Sequence, residues 1–315
     1  MRTHTEPDFD YDPDFDAERQ RVVDHRDTRW IPERNDDNLL LATWNLTAFG
    51  EHDRALWHLG LMADMIEPFD VVAVQEIGED LTHLEVLLGN LGGSWHALYT
   101  GVEGDGERLG FLYNADRVAP DGLATELRVQ TTSRRRLVVG GVAEEFEELH
   151  RDPFVVHFVA GQFELELTMM NVHLYRTSSG LRRQEAIALA RWARGRVDAE
   201  HPPCGDVVVL GDFNLSRLYP GDDAHRQLVD LGMMVPDHGS HVVRTNYAKD
   251  RHYDALALFP ARTADGFTGT LGVFDFDNVV FPDLYAEDPV RFYKYIRYCL
   301  SDHRPLWVEI QRKKG

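Results

Sequence analysis

The chain contains apolar runs that are bordered by polar residues able to do chemistry. Five of these runs begin or end at a carboxylate, a carboxamide or a histidine. They are residues 39–45 (LLLATWN), 71–76 (VVAVQE), 167–173 (LTMMNVH), 207–210 (VVVL, followed by GDFN) and 304–308 (RPLWV, preceded by SDH). Continuous apolar runs of this length are typical of buried strands. Because strand ends can meet at one rim of a sheet, the pattern predicts a polar site there.

Segments with helical periodicity lie between several of these predicted strands. Leu56, Leu59, Ala63 and Ile66 share one helical face, and Asp53 is placed to cap that helix. Further helices are predicted over residues 79–91, 180–197 and 222–231, and further strands over residues 109–113, 124–129, 154–159, 163–174, 253–259 and 304–310. The order begins as alternating strand and helix and then becomes rich in strands, which favours a mixed α/β sandwich.

Residues 1–37 differ in composition from the rest. The tetrapeptide PDFD occurs twice within a dense acidic stretch, at residues 7–10 and 13–16. This composition predicts a mobile N-terminal tail over residues 1–37, followed by a single domain over residues 38–315. A solubilising role for the tail is favoured over a second hypothesis, in which it mimics phosphate and inhibits the site.

Composition limits the class of protein. The chain has 315 residues, of which 43% are hydrophobic, and a formal net charge of -20. That charge argues against strong non-specific binding of nucleic acid, although a local basic groove or a bound cation can reverse it at a site. No transmembrane run or secretory leader is visible, and Cys204 and Cys299 lack metal-type spacing. We therefore expect a reduced, cytoplasmic protein that does not insert into membranes.

A carboxylate and a carboxamide at neighbouring strand ends indicate a metal site. Glu76 follows the second apolar run, and Asn45 ends the first. With water molecules, these oxygen donors suit a hard cation such as Mg²⁺, whereas the absence of a His/Cys cluster disfavours zinc. Asp302 and His303 are adjacent, so one side chain can face a metal while the other faces the substrate.

Histidines and carboxylates form a candidate acid–base set. Asp212 can orient an attacking water or accept its proton, and Asn214 can donate hydrogen bonds to phosphoryl oxygens. Each histidine needs a carboxylate partner, and the sequence offers Asp254 for His303 and Glu107 for His173. Two such pairs across a phosphate would suit phosphodiester hydrolysis.

Three basic or aromatic features keep two interpretations each. Arg151 could clamp a phosphate oxygen or be a surface charge. The run Arg134-Arg135-Arg136 is interpreted first as a solvated face and second as a contact to a substrate backbone. The aromatic residues of 292–298 could form a base-stacking platform or the buried face of a helix.

Taken in order, five motifs resemble the endonuclease/exonuclease/phosphatase superfamily, and within it the deoxyribonuclease I branch. The motifs are TWN (43–45), QE (75–76), NVHL (171–174), GDFN (211–214) and SDHRP (301–305), and the similarity extends over about residues 39–311. The resemblance implies a four-layer α/β sandwich in which two packed mixed β-sheets are flanked by helices. It also implies Mg²⁺, with Mn²⁺ as an alternative.

The resemblance further assigns roles to individual residues. It places the metal at Glu76, with Asn45 and Asp302 near or on it. His173 and His303 would be the acid–base pair, supported by Glu107 and Asp254. Asp212 and Asn214 would orient the nucleophile and the phosphate, and Arg151 would contact phosphate.

The implied activity is metal-dependent phosphodiester hydrolysis, with an endonuclease acting on DNA as the favoured form. A phosphoesterase for a small or lipid-like substrate is the alternative, and the net charge of -20 is the main observation that favours it. Ile77-Gly78 and Asp105-Gly106 also stand where the secreted enzymes carry DNA contacts, which argues against recognition of duplex DNA. A regulatory protein on an inactive scaffold is disfavoured by the full set of site residues. No protein partner is predictable.

Overall fold

Two β-sheets packed face to face form the centre of the protein. The computed structural model describes residues 3–128, 136–139, 142–145, 149–176, 178–199, 206–215, 223–236, 244–247, 251–259 and 265–312. Among the described residues, the first sheet has six strands and the second has five. Each sheet contains one parallel pair of strands, and its other pairs are antiparallel, so both sheets are mixed.

The strands and helices have the following bounds. The first sheet has the strand order β12 (Phe267–Val273), β13 (Leu306–Gln311), β1 (Asn38–Phe49), β2 (Val71–Ile77), β4 (Arg108–Asn114), β3 (Trp95–Tyr99). The second has the order β11 (Asp254–Leu258), β10 (Val207–Asp212), β9 (Leu165–His173), β8 (Phe154–Ala160), β5 (Ala119–Glu126). The parallel pairs are β1 with β2 and β9 with β10. A separate two-stranded sheet pairs β6 (Arg136–Val139) with β7 (Val142–Glu145). The helices are α1 (Phe15–Thr28), α2 (Leu56–Ile66), α3 (Thr82–Leu91), α4 (Ser179–Val197), α5 (Asp223–Asp230), α6 (Pro282–Glu287) and α7 (Pro289–Cys299).

Alternate residues of each buried strand enter different cores. In β1, Leu39 and Leu41 lie between the two sheets, whereas Leu40, Ala42 and Trp44 pack against the helices outside. The outer core of the first sheet includes residues of α1, α2, α3, α6 and α7, and that of the second sheet includes residues of α4 and α5. This arrangement confirms the predicted sandwich of two mixed sheets flanked by helices. None of the helices in the described part of the chain is long and apolar enough to cross a membrane.

The N-terminal residues differ from the mobile tail expected from their composition. Residues 15–28 form α1, whose Val22 is fully buried in the outer core of the first sheet. Polar contacts fix the helix: the Glu18 carboxylate accepts a hydrogen bond from the Phe281 backbone (2.8 Å), and His25 Nε2 lies 2.8 Å from Asp275 Oδ1. α1 has no continuous apolar stripe, and buried polar contacts such as these help to attach it, so composition alone suggested a tail.

Two further predictions are corrected by the backbone. The long strand expected over residues 163–174 is shortened by a 3₁₀ turn at Gly161–Phe163, and β9 begins only after Glu164, which has φ +53°. The helix expected to start at Asp53 begins at Leu56, and the Ala55 N–H donates to His58 Nδ1 (3.1 Å). Asp53 therefore does not cap it.

The aromatic residues of α7 belong to the core. Phe292, Tyr295 and Tyr298 are buried in the outer core of the first sheet, so the helix interpretation is right and the stacking platform is wrong. Arg134 and Arg135 lie outside the described residues, as does Cys204, while Cys299 is a free, buried thiol.

Gly211 provides a test of packing beneath the GDFN motif. Its φ is +143°, and an added Cβ would lie 2.0 Å from the Val172 carbonyl oxygen of the neighbouring strand. We expect Gly211→Ala to lower the free energy of unfolding by at least about 3 kcal/mol, because backbone strain and a steric clash add. Urea denaturation measures this, and Gly122→Ala is the matched control: Gly122 has φ +71° but no atom within 4 Å of the added Cβ. Equal losses in the two variants would contradict the packing account.

Candidate active site

Three neighbouring strands of the second sheet end with chemically active side chains at the same level. Asp212 of β10 is in register with His173 of β9 on one side and with Asp254 of β11 on the other. The strand ends of one sheet therefore bring together an imidazole and two carboxylates that lie up to 81 residues apart in sequence (254 minus 173). All three side chains are buried or nearly so.

The facing sheet contributes the ends of β1 and β2. Asn45 is in register with Gln75, and beyond these residues the pairing of β1 with β2 is irregular. Backbone irregularity concentrates here: Thr47, Ala48 and Glu76 all have φ between +48° and +59°. Positive φ is unfavourable for residues other than glycine and is characteristic of functional sites. These bends bring Thr47 and Glu76 to the wall of the cleft.

The segment before β13 is tied to the end of β1. Ser301 Oγ donates to the Asn45 carbonyl (2.6 Å) and accepts from the His303 N–H (2.9 Å). Thr47 Oγ1 donates to Asp302 Oδ1 (2.6 Å). These short side-chain contacts fix Asp302 and His303 relative to Asn45 and Glu76.

Both histidines have the carboxylate partners expected from the sequence. His173 Nδ1 lies 2.6 Å from Glu107 Oε1, and His303 Nδ1 lies 2.9 Å from Asp254 Oδ2. Burial lowers the pKa of each imidazole, but the partner carboxylate opposes this and the net pKa is raised, well above the usual range for His303. Each Nδ1 therefore faces a carboxylate, and each Nε2 faces the cleft.

Asp212 lies between the two imidazoles. Its Oδ2 is 3.5 Å from His173 Nε2 and 3.8 Å from His303 Nε2, and it accepts a hydrogen bond from Asn45 Nδ2 (3.1 Å). Burial raises the pKa of Asp212. The charges of both histidines and hydrogen bonds from Asn214 and Asn45 lower it by more, so the net pKa is below its usual value. Asp212 is therefore ionised, and it lies between two imidazoles whose pKa values are raised.

The carboxylates also offer places for a cation. Glu76 Oε1 accepts from Asn45 Nδ2 (3.0 Å) and Oε2 from the Ala48 N–H (2.9 Å), and none of the ion pairs among the described residues involves Glu76. Ligand atoms of Glu76, Glu107 and His173 lie within 4.8 Å of one another. Glu107 is the least available member, because its Oε1 also lies 2.5 Å from Arg151 Nε. Glu76 and Asp302 line the same cleft, and carboxylate oxygens of this kind are the ligands that a hard cation prefers.

Arg151 lies behind the histidine rather than in the cleft wall. Its guanidinium contacts Glu107, Asp105 (2.8 Å) and the His173 carbonyl (3.2 Å). The arginines that do line the 540 Å³ cleft are Arg176, Arg182 and Arg251. Tyr253, Asn214 and both histidines line the same cleft.

Several positions that support the site had little signal in the sequence. Gln75 Nε2 donates to Asn171 Oδ1 (2.7 Å), and Asn171 Nδ2 donates to carbonyls of Val74 (2.9 Å) and Gly110 (2.8 Å), so a buried polar bridge joins the two sheets below the site. Arg54, also fully buried, donates to carbonyls at the end of β1 and to those of Cys299 and Leu300. The Gln75–Asn171 bridge and the Arg54 side chain both fix the strand ends. The QE and NVHL motifs contain the two bridge residues, whereas none of the five motifs contains Arg54.

Asn214 departs from the strand geometry expected after Asp212. Its φ is +50°, so the two side chains do not share one face of a continuing strand. They are related instead by a tight turn, in which the Asn214 N–H donates to Asp212 Oδ1 (2.8 Å) and Asn214 Nδ2 donates to the Leu174 carbonyl (3.1 Å). Both residues nevertheless line the cleft.

Comparison with solved structures identifies the fold. An endonuclease/exonuclease/phosphatase from Bacteroides vulgatus superimposes with a TM-score of 0.60 at 15% identity, covering 88% of this chain and 99% of the other. A mannosyl-6-phosphatase from Bacteroides thetaiotaomicron gives 0.56 at 14% identity, covering 86% and 98%. D. rerio TDP2, complexed with a single-strand DNA product, gives 0.56 at 16% identity, covering 86% and 98%. No protein-family profile matches the chain, and no curated protein matches it by sequence.

These likenesses define the architecture as the deoxyribonuclease I-like fold of endonuclease/exonuclease/phosphatase proteins. The resemblance noted from the sequence motifs is confirmed at this level. The solved structures of this fold include one named as a mannosyl-6-phosphatase and one complexed with a single-strand DNA product, so the shared fold does not fix a substrate.

Proposed function

We propose that the protein is a metal-dependent phosphodiesterase that hydrolyses DNA phosphodiester bonds. The observation that carries the proposal is the arrangement of two His–carboxylate pairs on either side of Asp212, with their Nε2 atoms 3.5 and 3.8 Å from its Oδ2. A phosphate in this cleft would meet a carboxylate and two proton donors simultaneously. That combination suits attack by water on phosphorus.

Each side chain has a defined task in this reaction. The lowered pKa of Asp212 keeps its carboxylate ionised, so that Oδ2 is available to orient the water and to take up its proton as the bond to phosphorus forms. His173 and His303 donate Nε2–H hydrogen bonds to phosphoryl oxygens, and the imidazole beside the leaving oxygen gives that oxygen its proton. Glu107 and Asp254 hold each ring by Nδ1 and stabilise its positive charge. Asn214 lines the same wall and orients the phosphate.

A divalent cation completes the site. Glu76, Asn45 and Asp302 are the residues proposed to hold it, and Mg²⁺ is the ion that this oxygen donor set suits best, with Mn²⁺ as an alternative. Such an ion supplies charge stabilisation for the phosphoryl oxygens.

The arginines that line the cleft support a polyanionic substrate. The protein has a formal net charge of -20, yet Arg176, Arg182 and Arg251 face the same cleft as both histidines. Local cations that oppose the overall field concentrate anions at the site. A DNA strand offers phosphates on both sides of the scissile bond, which these side chains can contact.

A small phosphorylated substrate is the second candidate. The described cleft has a volume of 540 Å³, a size that suits a small molecule, and the mannosyl-6-phosphatase has the same fold. The test is a direct comparison of kcat/KM for a short single-stranded oligonucleotide and for mannose 6-phosphate in Mg²⁺ or Mn²⁺. We expect the oligonucleotide to be preferred; turnover of the sugar phosphate alone would replace DNA with the second candidate.

Arg176 provides a test of substrate charge. Its side chain is exposed and lines the cleft after β9. We expect Arg176→Gln to raise KM for an oligonucleotide by about 10-fold with little change in kcat, because one phosphate contact is lost in the ground state and the transition state alike. The salt dependence of KM should also weaken. Arg128→Gln, at an exposed arginine outside the cleft lining, is the matched control. An unchanged KM for Arg176→Gln would remove this residue from the substrate site.

A further inference from the structure

The N-terminal segment comprises residues 3–14, and its residue His4 lies at the cleft. His4 lines the cleft together with Asp302 and both catalytic-site histidines. The segment is therefore more than an acidic tail, because the side chain that it places at the site is an imidazole. The segment was expected to be mobile, so its attachment needs explanation.

Contacts with α7 anchor the segment. The Arg291 guanidinium lies 4.0 Å from the centre of the Phe9 ring, and Tyr11 packs edge-on against Tyr295 at 5.3 Å. Asp8 Oδ1 lies 2.7 Å from Lys294 Nζ, although an exposed pair of this kind adds little stability. The aromatic contacts therefore hold the segment against the helix that leads into the SDH motif.

A second set of contacts sets the position of His4. The His52 imidazole stacks on Tyr298 at 4.3 Å, and its Nδ1 lies 3.0 Å from the Tyr298 carbonyl, which can only accept a hydrogen bond. Nδ1 of His52 therefore carries the proton, and Nε2 is free to accept from the His4 backbone N–H at 2.9 Å. Burial lowers the pKa of His52 to about 4, which keeps the ring neutral and preserves this acceptor.

Asp302 lies close to two different parts of the chain. Thr47 Oγ1 holds Oδ1 at 2.6 Å, and His4 Nε2 lies 3.6 Å from the other oxygen, Oδ2. A carboxylate that binds a metal depends on such neighbours for its orientation, and their loss characteristically weakens metal affinity.

From this geometry we infer that His4 is a positioning residue for Asp302, which makes the N-terminal segment part of the metal site. The inference rests on the proposed function in one respect: Asp302 must contribute to cation binding. It assigns a role to a residue that lies far from the five motifs in sequence, and it is an alternative to the solubilising and inhibitory hypotheses for this segment.

The test is calorimetric titration of the full-length protein with Mn²⁺, which needs no turnover. We expect His4→Ala to weaken Mn²⁺ affinity by about 10-fold or more, and His4→Gln to restore much of it by providing another side-chain N–H. Phe9→Ala should shift the affinity in the same direction by loosening the segment, whereas Glu6→Ala, at an exposed position of the same segment, should match wild type.

The outcomes separate this inference from the proposed function. Wild-type affinity in His4→Ala, with an unchanged melting temperature, would overturn the role of His4 while leaving the metal site intact. Higher activity of His4→Ala on a phosphodiester would also overturn it, in favour of inhibition by the segment. Failure of the wild-type protein to bind Mn²⁺ would overturn both proposals together.

Discussion

Replacing His303 with alanine should lower kcat for phosphodiester hydrolysis by about 10²- to 10⁴-fold, with a much smaller change in KM. The imidazole donates from Nε2 toward the cleft while Asp254 holds Nδ1 at 2.9 Å, so alanine removes both the proton donor and the charge that the buried carboxylate stabilises. Steady-state kinetics on an oligonucleotide or on bis(p-nitrophenyl) phosphate measures the effect.

Two variants sharpen this prediction. Asp254→Asn should reduce kcat less than His303→Ala, by about 10- to 100-fold, because the ring remains but loses its orienting carboxylate. His96→Ala, at an exposed histidine of β3, is the matched control and should retain wild-type kcat. Wild-type turnover in His303→Ala would refute the acid–base assignment.

Glu76→Gln should weaken divalent-cation affinity by about 10²-fold, because one negative charge leaves an oxygen-rich site while side-chain size is preserved. Glu76 is the natural anchor for a cation, since its neighbours are the Asn45 amide and the Ala48 N–H and no described lysine or arginine forms an ion pair with it. Titration with Mn²⁺, followed by calorimetry, gives the affinity directly, and activity should recover in part at high Mn²⁺ concentration.

The same substitution on the surface provides the control. Glu85→Gln removes an equal charge from an exposed position on α3 and should leave the affinity unchanged. Equal affinities for wild type and Glu76→Gln would show that the cation does not depend on the Glu76 charge. Glu107→Gln would then test the cluster of Glu76, Glu107 and His173.

Much of the site could be predicted because it depends on strand ends. Apolar runs identify buried strands, and the register of β9, β10 and β11 converts sequence positions into neighbours: His173, Asp212 and Asp254 lie side by side. The pairing of His173 with Glu107 crosses from one sheet to the other; the place of Glu107 just before an apolar run suggested it, and the motif resemblance pointed to the same pair.

The remaining features depend on contacts that leave no local pattern. In α1, Val22 is the buried apolar residue, and ion pairs such as Arg19 with Asp64 (2.5 Å) attach the helix, so its sequence has the composition of a tail. Arg54 and His52 act through backbone carbonyls and N–H groups, which any residue supplies. Positive φ at Glu76 and Asn214 is likewise imposed by tertiary structure rather than by residue type.

The measurement that tests the central claim most directly is conversion of supercoiled plasmid to nicked circle by metal-depleted protein after Mg²⁺ or Mn²⁺ is restored. The account predicts nicking that requires the cation, stops on addition of EDTA and is lost in His303→Ala. An intact plasmid in the presence of either cation would contradict DNA as the substrate, and nicking that persists in EDTA or in His303→Ala would contradict the proposed site.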